Sequence, residues 1–256
     1  MNISGKIALV TGGTRGIGAA TALALAKAGT DVSIVARRLD SEANSVRQSI
    51  LALGRRCELI QADCGQPEEA ARCVRETEAK LGAVDVLVHS AGGPVNGGLF
   101  DLTPEQWQGA FDVHVHAIFH LSRAVIPAMR VKKEGSIILI SSTAGIRGIV
   151  TNVAYQVAKG AYQVAKGALP QFTRALAREF ANDNIRVNCV APGVVRTDFH
   201  KTMSEEQRRL NLDHRIPLHR EGTSEQVAAV VTLLVTNDYI TGETYVIDGG
   251  LTSRIV

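Results

Sequence analysis

Tyr155 and Lys159 stand four residues apart in Ala154-Tyr155-Gln156-Val157-Ala158-Lys159-Gly160, and the same seven residues follow at once as Ala161-Tyr162-Gln163-Val164-Ala165-Lys166-Gly167. Residues at i and i+4 of a helix share a face, so each copy offers a phenol beside an ammonium. A phenol with a pKa near 10 needs a neighbouring cation to favour its anion, and a lysine one turn away supplies it. That pair suits proton exchange with a carbonyl or alcohol oxygen while a hydride moves at the adjoining carbon. Ser142, thirteen residues before Tyr155, can hydrogen-bond the same oxygen.

A second chemical feature lies near the start. Thr11-Gly12-Gly13-Thr14-Arg15-Gly16-Ile17-Gly18 follows a strand-like run directly and opens a helix-like one. In that context Gly12, Thr14, Arg15, Gly16, Ile17 and Gly18 read as a nucleotide loop. The glycines let the backbone approach a pyrophosphate, and the helix N-terminus offers it unpaired N–H groups. Cofactor choice follows from the second strand, which ends Val35-Ala36-Arg37-Arg38. A carboxylate there would bind the ribose 2'-hydroxyl of NAD. Arg37, helped by Arg15, instead suits a 2'-phosphate through charge-assisted bonds, so the expected cofactor is NADP(H).

These residues need a scaffold that brings distant loops together. Short β-branched runs at Ile7 to Val10, Val32 to Val35, Leu59 to Ile60, Val84 to His89, Ser136 to Ile140, Ile185 to Val190 and Tyr245 to Ile247 predict seven strands. Helical periodicity fills the gaps, as in Ala19 to Ala28, Glu68 to Leu81, Pro104 to Arg130 and Phe172 to Ala181. Alternation of this kind implies an α/β fold, doubly wound, with a parallel sheet covered on both faces. No linker or low-complexity tract divides the chain, so residues 1–256 read as a single domain. The charged stretch around 198–220 interrupts the alternation and reads as a lid, with Ser204 as a helix N-cap.

Taken together, these motifs resemble those of the classical short-chain dehydrogenase/reductase family over about Ile3 to Gly250. The resemblance implies a Rossmann-like seven-stranded sheet in a homodimer or homotetramer. It implies that Asp63 contacts adenine, that Ala91 and Gly92 line the cofactor, and that Pro192, Gly193, Val195 and Thr197 hold the nicotinamide amide. Tyr239-Ile240-Thr241-Gly242 and Asp248-Gly249-Gly250 look like the family's C-terminal signature. Two positions depart from the pattern. The family's Asn-Asn-Ala-Gly reads His89-Ser90-Ala91-Gly92, and the helix asparagine of its proton relay corresponds to His114. A histidine there can relay protons itself or be a tolerated substitution, and the residues alone leave both readings open.

The repeat raises the question of which copy acts. Seven residues span nearly two helical turns, about 10.5 Å, so one tyrosine at most reaches the substrate. Ser142 has the family's spacing to Tyr155, whereas Leu169, Phe172 and Ala177-Arg178-Glu179 have the family's spacing from Tyr162. Using Tyr155 would slide the following helix two turns against a packed sheet. Using Tyr162 would lengthen the loop after Ser142, which costs only about half a kcal/mol per doubling. Tyr162 and Lys166 are therefore favoured over Tyr155 and Lys159. Pro170 removes the N–H that would bond the Lys166 carbonyl, and the helix is expected to kink there.

Composition narrows the alternatives. The net charge of +3 is spread along the chain, which argues against a nucleic-acid or membrane surface. Four cysteines without paired spacing predict free thiols, and with no leader-like start the protein is expected to be cytoplasmic. A metal site on His114, His116 and His120 lacks nearby carboxylate or cysteine clusters and is set aside. The expected activity is NADP(H)-dependent oxidoreduction of a small carbonyl or secondary alcohol: a 3-oxoacyl thioester, a sugar or polyol, or a small ketone. The alternative is an NADP(H)-binding protein whose catalysis is impaired by the duplication. An acyl carrier protein partner would need a basic patch at the entrance, for which Arg123, Arg130, Lys132 and Lys133 are candidates.

Overall fold

The computed structural model describes residues 1–95, 100–148, 160–197 and 203–253. Seven parallel strands form one sheet in the order β3-β2-β1-β4-β5-β6-β7. They are β1 (Ile7–Thr11), β2 (Asp31–Ala36), β3 (Cys57–Gln61), β4 (Val86–His89), β5 (Gly135–Ile140), β6 (Ile185–Pro192) and β7 (Thr244–Ile247). All seven lie where the β-branched runs predict them. Apolar residues on both faces of the central strands require cover on both sides, and helices supply it.

The helices are α1 (Gly16–Lys27), α2 (Ser41–Ala52), α3 (Pro67–Lys80), α4 (Pro104–Phe111), α5 (Ala117–Lys132), α6 (Gly160–Glu179), α7 (Glu205–Leu210) and α8 (Ser224–Thr236). One core gathers Val74, Leu121, Val125 and Leu169 against Leu87, Ile137 and Val187. The other gathers Ala22, Leu25, Val227 and Val231 against Val10, Ile34 and Ile138. Helix starts are chemically marked: Asp40 accepts from Ala43 N–H, and Thr103 and Thr223 form capping boxes with Gln106 and Gln226. Ser204 accepts from Gln207 N–H and caps α7 as its sequence suggests.

The single helix expected over Pro104 to Arg130 is divided. A π turn at Asp112–His116 joins α4 to α5 and carries His114 inward. Such turns free main-chain carbonyls from the helix ladder, and here Val113 O receives His89 Nε2 at 3.0 Å. The four cysteines are free and buried. No helix among the described residues is long and apolar enough to cross a membrane.

Candidate active site

The strand order reverses direction between β1 and β4, and in open α/β sheets ligands bind where the loops leaving two such strands part. The glycine loop leaves β1 and Ala91-Gly92-Gly93 leaves β4. Gly12, at φ 67°, lies so close to this second loop that an added Cβ would stand 2.8 Å from Ala91 N. The third wall comes from β6, whose exit through Pro192 and Gly193 leads to Val195 and to Thr197, which lies beside Gly16. Gly12 to Gly18, Ala91, Gly92 and the segment from Pro192 to Thr197 thus meet at one end of the sheet. Asp63 follows β3 at the same end, where its Oδ1 accepts from Gly65 N–H at 3.0 Å.

Arg37 is exposed at the end of β2. Arg15 is already engaged, since its guanidinium pairs with Asp40 and its Nε lies 3.1 Å from Glu42. The two carboxylates orient it at the rim of the nucleotide loop. Neither acid stands out in the sequence as a partner of the loop.

The second copy of the repeat reaches this end. Tyr155 and Lys159 lie outside the described residues, whereas Tyr162 and Lys166 occupy the first two turns of α6. The Tyr162 hydroxyl hydrogen-bonds the Ser142 side chain. Lys166 Nζ lies 5.8 Å from the Tyr162 ring centroid and donates to Ile140 O at 2.6 Å. Both side chains are buried, at 6% and 5% exposure, so each charged form pays for lost hydration. Burial pushes the Tyr162 phenol up to about 12, with the Ser142 hydrogen bond pulling the other way. Burial likewise brings Lys166 down to about 8. A neutral phenol thus sits beside an amine that is still mainly ammonium at pH 7.

Two local devices seat this helix. The turn Thr143–Gly145 packs so tightly on it that a Cβ at Gly145 would lie 2.6 Å from the Lys166 carbonyl carbon. Pro170 does deprive the Lys166 carbonyl of its helical donor, but α6 runs on through it as one element. Ser141 Oγ donates to that carbonyl instead, at 2.8 Å. Ser141 therefore holds the helix while Ser142 meets the tyrosine. A proline four residues after the lysine was the sequence signal for such a donor.

The two positions that carry imidazoles in place of amides are fully buried. His114 Nε2 lies 3.2 Å from Gly93 O, and its ring stands edge-on to Tyr162 with centroids 5.4 Å apart. His89 Nδ1 lies 2.9 Å from Thr11 Oγ1. Burial, with the Lys166 charge adding to it, lowers His89 to about 3 and His114 to about 2.

A family profile described as enoyl-(acyl carrier protein) reductase matches residues 12–252. The 3-oxoacyl-[acyl-carrier-protein] reductase of Escherichia coli (strain K12) is 36% identical over 253 residues, covering 98% of this chain and 99% of the relative. A short-chain type dehydrogenase/reductase from Mycobacterium marinum superposes with a TM-score of 0.91 at 32% identity, covering 99% of this chain and 98% of that one. The chain belongs to the short-chain dehydrogenase/reductase family. A further structural relative is L-sorbose reductase from Gluconobacter frateurii, solved with NADPH and L-sorbose. Its TM-score is 0.89 at 29% identity over the whole of both chains. As a short-chain dehydrogenase/reductase, the protein is an oxidoreductase.

The basic patch considered for a carrier partner is not at the entrance. Arg130, Lys132 and Lys133 lie where α5 leads into the start of β5, the opposite end of the sheet from Ser142. They are also paired, Arg130 and Lys133 with the one carboxylate of Asp183 and Lys132 with Asp85 at 2.7 Å. Arg123 instead stands 5.6 Å from the Phe119 ring centroid.

Proposed function

We propose that the protein is an NADP(H)-dependent reductase in which Tyr162, Lys166 and Ser142 act on a carbonyl or secondary alcohol. The observation that carries this reading is the hydrogen bond between Tyr162 and Ser142, with the buried Lys166 Nζ 5.8 Å from the Tyr162 ring centroid. The glycine loop, with its close approach to Ala91, fits a pyrophosphate. Exposed Arg37 and the oriented Arg15 fit a 2'-phosphate, in keeping with the NADPH of the sorbose reductase complex. Gly12, Thr14, Arg15, Gly16, Ile17, Gly18 and Arg37 would hold the phosphates and Asp63 the adenine. Ala91, Gly92, Pro192, Gly193, Val195 and Thr197 would flank the nicotinamide.

When bound, NADPH supplies the hydride. The Ser142 hydroxyl donates to the carbonyl oxygen, and Tyr162, neutral at working pH, gives that oxygen its proton. The Lys166 ammonium lowers the cost of the phenolate left behind. Stabilisation of developing oxygen charge by such donors is worth roughly 10²–10³ in rate per donor.

The substrate class favoured by the relatives' names is a 3-oxoacyl thioester, with keto-sugars and small ketones as the competing class. Residues around 198–220 would act as the lid of a single domain spanning 1–256, in a cytoplasmic homotetramer or homodimer. The test is NADPH oxidation across β-ketoacyl thioesters, keto-sugars and simple ketones. Turnover with the thioesters at the highest kcat/KM supports the reading. NADPH binding without turnover on any of them would establish a binding protein instead.

A further inference from the structure

His89 and His114 reach across the same gap in opposite directions. His89 closes β4 and sends Nε2 forward to Val113 O in the π turn. His114, the next residue of that turn, sends Nε2 back to Gly93 O in the loop that leaves β4. Both acceptors are carbonyls, so both rings carry a proton on Nε2, and burial keeps the rings neutral. The Nδ1 of His89 is then an acceptor for the Thr11 hydroxyl at 2.9 Å, and Thr11 Oγ1 accepts in turn from Ala91 N–H at 3.2 Å. The His114 ring lies over Gly92 so closely that an added Cβ would stand 2.4 Å from its Cε1. Ala91, Gly92 and Gly93 are thereby held at three successive points.

We propose that His89 and His114 form a reciprocal clasp that fixes the Ala91–Gly93 loop against the π turn, acting together as positioning residues for the cofactor. The proposal rests on the reading of this loop as a cofactor wall. It separates two roles left open by the sequence, because a relay requires a nitrogen free to pass a proton. His114 Nε2 is occupied by Gly93 O, and its Nδ1 is buried against Gly92 with no hydrogen-bond partner among the described residues. The imidazoles also explain each other. His89 finds its carbonyl only because the π turn presents Val113 O, and that same turn points His114 at the loop. Replacing one amide by imidazole without the other would leave half a clasp.

The experiment uses His89→Asn, His114→Asn and the double variant, with three readouts. In the cofactor-free protein, amide hydrogen exchange at Ala91 is expected to accelerate in each single variant. The double variant should be little faster than either, because breaking one half releases the loop. The NADPH dissociation constant, from cofactor fluorescence, is expected to rise five- to tenfold in each single variant and by no more than that in the double. At saturating NADPH, kcat should change less than the dissociation constant, with its pH profile unshifted. Nitrogen-15 spectra of the wild-type imidazoles should show two neutral rings protonated on Nε2 from pH 6 to 8. Val86 to Val88 amides, protected in all variants, report an intact sheet; if Asn at either position abolishes that protection, Gln at the same position replaces it.

The clasp is overturned if Ala91 exchange is unchanged, if the two losses multiply in the double variant, or if either ring titrates between pH 6 and 8. It is overturned equally if kcat falls with a raised solvent isotope effect while NADPH binding is unaltered, since that marks a relay. Failure of wild type to bind NADPH would sink the functional reading and leave the exchange and nitrogen measurements to judge the clasp alone.

Discussion

Lys166 is buried and donates a hydrogen bond to Ile140 O, and burial brings its pKa to about 8. It is therefore charged below that pH and neutral above it. Reduction by Tyr162 should be near its plateau at pH 7 and decline as pH rises through about 8, where the cation that stabilises the phenolate disappears. Lys166→Met keeps the side-chain volume and removes the charge. It should lower kcat/KM by roughly 10²-fold or more and abolish that alkaline limb. A limb that persists in Lys166→Met belongs to another group. At this scale the types of the residues proposed to react were readable in the sequence, because phenol, ammonium and hydroxyl have few substitutes. Their neighbours were not: Ser141, Asp40 and Glu42 owe their roles to contacts across 25 or so residues of chain.

The helix that carries the second copy is positioned at both of its sides, by the tight turn at Gly145 and by the Ser141 bond to the carbonyl that Pro170 leaves free. Deleting residues 154–160 or 161–167 yields one and the same sequence, since the copies are identical. With Tyr162 as the acting tyrosine, Tyr162, Lys166, Pro170 and the rest of α6 keep their places on the sheet in the shortened chain. Its kcat should stay within about threefold of wild type, and its melting temperature should stay equal or rise by a few degrees. Collapse of activity with an intact fold would show that the inserted residues are themselves needed. The strands were legible because their apolar runs are short and bounded. The π turn was not, because the pattern from Pro104 to Arg130 is compatible with unbroken helix and only the His89 contact shows why the ladder opens.

For the whole molecule, two fully buried neutral histidines tie folding to pH. Both pKa values, about 3 and about 2, fall below the ordinary 6.5, so the unfolded chain binds more protons than the folded one across that window. Stability is thus fully present above pH 6.5 and is lost as pH falls, by up to about 1.4 kcal/mol per pH unit for each histidine. Lys166 faces both rings and adds to the penalty, while main-chain carbonyls at Val113 and Gly93 oppose it. Urea unfolding between pH 6.5 and 4.5 should show this slope in wild type and a flatter one in the double asparagine variant; equal slopes would contradict the buried-neutral assignment. The fold as a whole was legible because strand and helix periods alternate along the entire chain. Which copy of the repeat the fold uses was not, since each copy fits from one side and only packing decides. The direct measurement is NADPH-dependent turnover of Tyr155→Phe and Tyr162→Phe on one substrate. Loss of at least about 10²-fold in Tyr162→Phe with Tyr155→Phe near wild type is the predicted result, and abolished turnover in Tyr155→Phe alone would contradict the assignment of Tyr162 as the proton donor.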